Sequence, residues 1–230
     1  MTFDMISLPD VAHLVVGILG GTGDQGKGLA YRFARAGHRV VVGSRSTERG
    51  EQAAAAIAAM PGVTGSVTGA ENSAAAQASD VVIVAVPWEG HAETVSSLRP
   101  ALAGKVVVDC VNPLGFDAKG PYPLRVPEGS AAEQTESLLP ESRVCAAFHH
   151  VSAVLLSDPT VAEVEQDVLV LGDDRDAVGV VCALAGRIAG TRGVYAGRLR
   201  NAAQVEAMTA NLIAINRRYK AHAGLRVTGL

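Results

Sequence analysis

The sequence predicts an α/β fold built on a doubly wound parallel sheet. Short apolar segments alternate with amphipathic or alanine-rich segments along the 230 residues, as strands and helices do in successive βαβ units. Residues 81–86 contain no polar side chain, which is typical of a strand buried on both faces of a parallel sheet. A glycine-rich turn directly after the first apolar segment is the third observation. Crossovers in such a sheet are expected to be right-handed.

The predicted elements follow in chain order. Strands are predicted at residues 14–19, 39–42, 63–67, 80–86, 105–110, 144–148, 167–171 and 193–195. Helices are predicted after Gly26 and at residues 51–60, 72–78, 89–98, 131–139, 176–188 and 199–218. Gly37 is predicted to cap the end of the first helix. Residues 113–127 are rich in Pro and Gly and are predicted to form a loop.

The turn after the first strand carries Gly21, Gly23 and Gly26 in the pattern G-x-G-x-x-G. The first glycine permits a tight turn, the second lets the backbone approach a pyrophosphate, and the third lets the helix pack on the strand. The pyrophosphate would lie over free N–H groups at the helix start. A chance turn is the alternative in a chain with 25 glycines. The preceding strand and the following amphipathic segment, with Arg32 among its charged positions, favour a nucleotide site.

The end of the second strand distinguishes between two nucleotides. An NAD site usually places a carboxylate there to bind both ribose hydroxyls. This chain instead has Ser44 and Arg45, with no acidic residue before Glu48. A guanidinium binds a 2′-phosphate through two parallel hydrogen bonds, and Arg49 is expected to reach it from the next helix. NADP is therefore predicted; the alternative is that both arginines are solvated charges at a helix start.

Composition limits the function classes. The net charge of −3, with 4% aromatic residues and no basic patch, argues against nucleic-acid binding. The first 13 residues lack a basic segment, and no apolar run reaches membrane-spanning length, so a cytoplasmic protein is expected. Cys110, Cys145 and Cys182 are far apart and are expected to be reduced and buried. No metal is predicted, because no histidine or cysteine pair has ligand spacing.

Three later strand ends carry candidate site residues. The fourth strand leads to Trp88, the fifth to Asn112 and the sixth to His149, followed by Val151 and Ala153. Ligands of a doubly wound sheet bind outside these carboxyl ends. Trp88 could equally be a packing residue, His149 a structural histidine, and the two small residues ordinary core.

The chain resembles the F420-dependent NADP oxidoreductases (reduced coenzyme F420:NADP+ oxidoreductases), which use a deazaflavin in place of a flavin. The resemblance covers nearly the whole chain from Val15 onward. The matching segments are Gly20-Gly21-Thr22-Gly23, Gly26-Lys27-Gly28-Leu29-Ala30, Val41-Val42-Gly43-Ser44-Arg45, Pro87-Trp88-Glu89, Ala118-Lys119-Gly120, Ser130-Ala131-Ala132-Glu133, His149, Gly172-Asp173-Asp174 and the region of Asn201 and Val205-Glu206.

The resemblance implies a Rossmann-type, NADP-binding domain at residues 1–150 and a smaller C-terminal α/β domain at residues 151–230 that closes an F420 cleft. It also implies a homodimer and direct hydride transfer between NADP and F420, with no catalytic acid or base. The residues it assigns to NADP are Thr22, Gly23, Asp24, Gln25, Ser44, Arg45 and Arg49, beside Gly21 of the turn. The residues it assigns to the deazaflavin cleft are Trp88, Asn112, His149, Val151, Ala153 and Met208.

Two other functions remain open from the residues. One is an NADP-dependent reductase of a small imine or a ferric centre. The other is a non-catalytic NADP-binding sensor whose cleft serves a partner protein. Turnover with F420, with an imine or ferric substrate, or with none of these distinguishes the three.

Overall fold

A computed structural model describes residues 8–230. The strands are β1 (Val15–Leu19), β2 (Arg39–Ser44), β3 (Val67–Glu71), β4 (Val81–Val84), β5 (Val106–Asp109), β6 (Leu114–Asp117), β7 (Gly120–Pro123), β8 (Arg143–Ala146), β9 (Gln166–Gly172) and β10 (Thr191–Gly197). The helices are α1 (Asp24–Arg35), α2 (Thr47–Ala58), α3 (Asn72–Gln77), α4 (His91–Ser97), α5 (Arg99–Leu102), α6 (Ala131–Leu138), α7 (Ala153–Ser157), α8 (Arg175–Ala185) and α9 (Ala202–Tyr219). Short 3₁₀ turns at Trp88–Gly90 and Leu199–Asn201 precede α4 and α9.

Eight strands form one sheet in the order β10-β9-β8-β5-β4-β1-β2-β3. All neighbouring pairs are parallel except β8 and β9, which run antiparallel. Because β2 and β3 lie on one side of β1 while β4 and β5 lie on the other, the strand order reverses between β1 and β4. This arrangement confirms the predicted doubly wound, mostly parallel α/β fold.

Alternate residues of the central strands enter opposite faces of the sheet. Val16 and Ile18 of β1 belong to an apolar cluster with helices α1, α2 and α8. Leu19 of β1, with Val82 and Val84 of β4, belongs to a second cluster, on the side of α3, α4, α5, α6 and α9. Burial on both faces explains why these strands contain almost only Val, Ile and Leu.

One strand prediction and one loop prediction were wrong. The third strand is Val67–Glu71 rather than 63–67, because the register pairs Val40 of β2 with Val67 and Ser44 with Glu71. The predicted loop at 113–127 contains a hairpin of β6 and β7. The Asp117 carboxylate closes its turn by accepting hydrogen bonds from the N–H groups of Lys119 (2.7 Å) and Gly120 (3.1 Å). Two prolines in β7 hid the strand, since proline is tolerated in such an exposed ribbon.

Helix boundaries also moved. Helix α2 begins at Thr47, four residues earlier than predicted, because the Ser46 hydroxyl accepts a hydrogen bond from the Arg49 N–H (3.4 Å) and caps it. Helix α7 (Ala153–Ser157) was not predicted at all. The first helix ends before Gly37, which adopts a left-handed conformation (φ +91°), as its predicted capping role requires.

The strands on both sides of residue 150 join the same sheet, since β9 pairs with β8 and β10 with β9. The final segment, residues 220–230, is tied to β9. The Leu225 carbonyl accepts from the Asp167 N–H (2.7 Å), and the Asp167 carboxylate accepts from the Val227 N–H (2.7 Å). The division into domains at 1–150 and 151–230 stays a prediction.

Candidate functional site

A cleft of about 250 Å³ opens near the carboxyl ends of β4 and β5. The reversal of strand order between β1 and β4 places the ligand crevice of a doubly wound sheet at this edge. The cleft is lined by Gln25, Ala85, Val86, Pro87, Trp88, Cys110, Val111 and Asn112. Three residues predicted from the sequence, Gln25, Trp88 and Asn112, therefore meet in one cleft.

The glycine turn is built mainly by close backbone contacts. Gly20, one residue earlier than predicted, makes the tight turn with φ +69°. A Cβ on Gly21 would lie 2.9 Å from the Ile18 carbonyl oxygen, and a Cβ on Gly26 would lie 2.7 Å from the Gly21 Cα. Gly21 and Gly26 are therefore glycines because backbone packs against them, which for Gly26 is the predicted role.

Gly23 differs from the other turn glycines. It is exposed, and a Cβ there would meet only the Gly20 carbonyl oxygen, at an ordinary 3.6 Å. Internal packing therefore leaves room for a side chain at Gly23. A side chain would instead obstruct a group that approaches from solvent, which fits the predicted pyrophosphate contact.

Helix α1 begins at Gly23 with no side-chain cap, so the N–H groups of Asp24 and Gln25 point outward from the first turn without a capping oxygen. Four other helices have a Ser or Asp cap, namely Ser46, Ser130, Ser152 and Asp174. Free N–H groups and the positive end of the helix dipole suit a phosphate. The half-buried Thr22 adds a hydroxyl beside them.

The end of β2 provides two cations near this turn. Ser44 is buried, and the Gly43 carbonyl accepts a hydrogen bond from the Gly21 N–H (3.0 Å), which fixes β2 beside the turn. Arg45 and Arg49 are exposed and form no ion pair with any residue between 8 and 230. Both guanidinium groups are therefore available to an anionic ligand such as a 2′-phosphate.

The glycine turn is linked directly to the end of β8. The Gln25 side-chain amide donates to the Phe148 carbonyl (3.1 Å), 123 residues away in sequence. Phe148 is fully buried and adopts φ +65°, a conformation that costs a bulky residue about 1–3 kcal/mol. This bend turns the chain out of β8 and into the segment at residues 149–153.

Asn112 holds the same segment from the other side. Its amide donates to the His149 carbonyl (2.8 Å), and the Thr209 hydroxyl of α9 donates to that carbonyl as well (3.1 Å). Sequence reasoning missed Thr209; the assignment of its neighbour Met208 to the cleft stays a prediction. Met208 is half-buried and packs against the same apolar cluster as Trp88. The helical periodicity of α9 was the signal available, but it does not reveal which turn faces the cleft.

The two histidines after Phe148 are buried and neutral. Burial lowers the pKa of His149 and of His150 to about 4. Neither ring nitrogen of His149 makes a hydrogen bond within the described residues, whereas His150 Nε2 accepts from the Leu169 N–H (3.3 Å). The His149 side chain, which is 3% exposed, is therefore a buried neutral ring and does not line the cleft.

Helix α1 also holds the segment that carries Val151 and Ala153. The Arg32 guanidinium, only 2% exposed, donates to four backbone carbonyls at and beyond the end of α7. A Cβ on Gly28 would lie 2.6 Å from the Leu156 Cβ, so the two helices are in close contact. Val151 is buried in the core, the alternative left open above, and Ala153 is the half-buried first residue of α7.

A second group of polar residues, which sequence reasoning missed, lies behind Trp88. The His91 ring stacks on the Trp88 ring, with centroids 5.4 Å apart, and His91 Nε2 lies 2.7 Å from the Asp109 carboxylate. The Thr135 hydroxyl donates to the same carboxylate oxygen (2.6 Å). His91, Asp109 and Thr135 are all fully buried. Burial opposes charge on both ionisable groups, but their contact outweighs it, raising the pKa of His91 and lowering that of Asp109.

Glu206 of α9 is buried nearby and accepts hydrogen bonds from the N–H groups of Ala131 (3.0 Å) and Ala132 (3.2 Å). Burial raises the pKa of Glu206 to about 7, partly opposed by these bonds. The carboxyl group thereby accepts from the first turn of α6 and joins α9 to α6.

One cysteine thiol lies at the cleft. Cys110 lines the cleft, but burial raises the pKa of its thiol, which donates to the Val84 carbonyl (3.1 Å). Residues 8–230 contain no group of three or more His, Cys, Asp or Glu side chains placed to hold a metal ion. Over the same range, no helix is both long and apolar enough to cross a membrane.

Comparison with known proteins agrees with this site. A family model described as NADP oxidoreductase, coenzyme F420-dependent, matches residues 15–113, which include the glycine turn, both arginines and Trp88. A crystal structure from an Arthrobacter species superposes with a TM-score of 0.76, covering 94% of this chain and 99% of that chain at 24% identity. At that identity the superposition supports the fold alone.

Two curated relatives extend the match over the whole chain. The F420-dependent NADP reductase of Methanocaldococcus jannaschii is 40% identical over 222 residues, 94% of this chain and 98% of that protein. The F420-dependent NADP reductase of Methanothermobacter thermautotrophicus is 40% identical over 227 residues, 96% of this chain and 97% of that protein. Together with the glycine turn and the cleft at the switch point, these matches confirm the resemblance noted in the sequence: the chain belongs to the F420-dependent NADP oxidoreductase family.

Proposed function

We propose that this protein transfers a hydride between NADP(H) and the deazaflavin coenzyme F420. Membership of the family supports both cofactors, and the uncapped start of α1 beside Arg45 and Arg49 supports NADP. The two cofactors carry the chemistry, since nicotinamide and deazaflavin exchange a hydride when bound face to face. The protein supplies position, proximity and exclusion of water.

The glycine turn and the end of β2 bind the phosphate groups of NADP. Free N–H groups at the start of α1 bind the pyrophosphate, with Gly23 leaving room for it, and the arginines bind the 2′-phosphate. Gln25 lies where α1 meets the cleft, so a dinucleotide bound this way extends its nicotinamide into the space beside Trp88. This continuity from phosphate site to cleft is the observation that carries the proposal.

The deazaflavin lies on the side of residues 148–153. Two planar rings must approach to near contact, and the small, half-buried side chain of Ala153 suits that approach. The neutral ring of His149 adds no charge that would oppose the reaction. No catalytic acid or base is assigned, because the hydride moves directly between the rings.

A spectral assay tests the function. Oxidised F420 mixed with NADPH and the protein should lose its deazaflavin absorbance at a rate proportional to protein concentration, and NADH should be a much poorer donor. Turnover of a small imine or a ferric substrate without turnover of F420 would support the other reductase instead. NADPH binding without any turnover would support the sensor.

A homodimer and a cytoplasmic location are also proposed. The β6–β7 hairpin and α9, which contact each other, expose four large apolar or aromatic side chains: Phe116, Tyr122, Ile215 and Tyr219. An exposed apolar face of this kind is typical of a subunit interface. Light scattering after size exclusion should give twice the chain mass of 23.6 kDa, and Phe116→Lys should reduce it to the monomer. A monomeric wild-type protein would contradict the homodimer.

A further inference from the structure

One buried carboxylate connects two walls of the cleft. Asp109 Oδ1 accepts a hydrogen bond from the Val111 N–H (2.9 Å), and Val111 lines the cleft on the β5 side. Asp109 Oδ2 contacts His91 (2.7 Å), whose ring stacks on Trp88 at an interplanar angle of 30°, and Trp88 lines the β4 side. The two oxygens of Asp109 thus act on opposite sides of the same space.

The hydrogen bonds around His91 indicate an imidazolium. Its Nδ1 faces the Gln134 Oε1 (2.9 Å), and the Gln134 amide nitrogen donates to the Glu128 carboxylate (3.2 Å), which fixes the oxygen toward the ring. Its Nε2 faces the Asp109 carboxylate. Because both ring nitrogens face acceptors, both carry protons. A cation held against the face of an indole is stabilised by the ring quadrupole.

The charges around this pair come from several elements. Asp109 lies on β5, Glu206 on α9 is buried nearby, and Glu128 reaches His91 only through Gln134 of α6. The neutral Thr135 hydroxyl of α6 donates a hydrogen bond to Asp109. The charge of Asp109 also acts on His149, but burial keeps that ring neutral. Positive charge on His91 is therefore balanced mainly by Asp109.

We propose that His91 and Asp109 are positioning residues of the redox reaction: their buried pair holds Trp88 and the Val111–Asn112 backbone at the spacing that the reacting rings require. The inference rests on the proposed function for its kinetic consequence, but the contact between the pair and Trp88 exists in the ligand-free protein. Neither residue reaches the cleft itself. They act through Trp88 on one wall of the cleft and through the Val111–Asn112 backbone on the other.

Trp88 is the one tryptophan of the chain, so its fluorescence reports this contact directly. An imidazolium against an indole quenches its emission more than a neutral imidazole does. Because the contact with Asp109 raises the pKa of His91, emission of the ligand-free protein should rise with a midpoint above about 6.5, the ordinary pKa of histidine. Asp109→Asn keeps an oxygen for the Val111 N–H but removes the charge, so it should move this rise to lower pH.

The same variant should alter turnover without altering the phosphate site. In Asp109→Asn, kcat should fall by about tenfold or more, as expected when reacting groups are displaced by a fraction of an ångström. Inhibition by adenosine 2′,5′-bisphosphate, which occupies only the NADP end near Arg45 and Arg49, should stay unchanged. Ser96→Ala, on the exposed face of α4, is the matched control and should change neither readout.

Emission that does not change between about pH 5 and pH 9, or a profile that Asp109→Asn leaves in place, would overturn the inference. An unchanged kcat in Asp109→Asn would also overturn it. If the wild-type protein fails to turn over F420, the proposed function fails, whereas the fluorescence titration still decides whether the pair acts on Trp88. Since that titration uses the wild-type protein, a variant that fails to fold does not prevent the test.

Discussion

The glycine turn and the segment at residues 148–153 are joined by a hydrogen bond between Gln25 and Phe148, but they are held in different ways. The turn is built from neighbours in sequence, with Gly21 and Gly26 each placed by contacts within one βαβ unit. The segment depends on side chains distant in sequence, among them Gln25, which bonds to a carbonyl 123 residues away. The turn is therefore encoded locally, whereas the segment depends on the finished fold.

This comparison predicts which substitutions should change nucleotide affinity and which should change the stability of the fold. Substitutions in the turn should change nucleotide affinity with little effect on the rest of the protein, unless backbone packs against the residue. Substitutions that hold the segment at 148–153 should change stability first, since no local sequence preference replaces a lost tertiary contact.

The largest effect is expected where the two regions are tied together. Arg32→Ala would leave four backbone carbonyls near α7 without their buried donor. The loss should lower the free energy of unfolding by about 4 kcal/mol, or the melting temperature by about 10 °C. Thermal and urea unfolding measure this change. Arg39→Ala, an exposed residue at the start of β2, should stay within about 0.5 kcal/mol of the wild type.

If Arg32→Ala unfolds at the wild-type temperature, α7 is held by its apolar contacts alone. The tie between the two regions would then be weaker than its hydrogen bonds indicate. Retained NADPH binding alongside a lowered melting temperature would instead confirm that the turn is locally encoded.

The next effect depends on pH and belongs to residues 148–153. His149 and His150 have a pKa of about 4 when folded and about 6.5 when unfolded, so the unfolded chain binds more protons between these values. The free energy of unfolding should therefore fall as the pH drops from about 6.5 toward 4, by about 1.4 kcal/mol per pH unit for each histidine. His149→Leu should remove one histidine's share of this slope. An unchanged slope would contradict a neutral, buried His149.

The sequence was sufficient for the central sheet and the turn. Strands β1, β4 and β5 are apolar runs typical of strands buried in a sheet. The glycines before α1 are explained by covalent geometry, because only glycine allows such close backbone contacts. The position of Ser44 and Arg45 at the end of β2 follows from the fold as well. Each of these is a local property, so the prediction needed no knowledge of distant contacts.

The rest could not be predicted because its signals are weak or tertiary. Arg32 was interpreted as a charged position between apolar ones, but α7 covers it and takes its hydrogen bonds. His91 and Asp109 have no spacing that marks them as partners, since the contact forms only when α4 packs beside β5. Strand β3 has the sequence Val-Thr-Gly-Ala-Glu. Its last three residues have little preference for strands, so the pattern as a whole is weak.

The third effect distinguishes two glycines of the turn. Gly23→Ala should leave the free energy of unfolding within about 1 kcal/mol, because its Cβ meets only one atom at 3.6 Å, but it should weaken NADPH binding by about a hundredfold. Gly26→Ala should instead destabilise the protein by about 1–3 kcal/mol, since its Cβ would lie 2.7 Å from the Gly21 Cα. Calorimetric titration and thermal unfolding separate the two. Equal loss of stability in both variants would remove the assigned difference.

The smallest effect concerns the end of β2, where Arg45 and Arg49 are proposed to favour NADPH over NADH. Arg45→Ala and Arg49→Ala should each raise the KM for NADPH by about tenfold and leave the KM for F420 unchanged, because the lost hydrogen bonds go to the 2′-phosphate alone. Arg49→Lys keeps the charge but loses the planar pair of donors, so it should raise the KM only a few-fold, whereas the larger penalty of Arg49→Ala, which removes the charge, should shrink at high salt. NADH, which lacks the 2′-phosphate, should respond to none of these changes. Equal effects on NADPH and F420 would mean that the arginines act on the cleft as a whole, and the local encoding of this side would then be wrong.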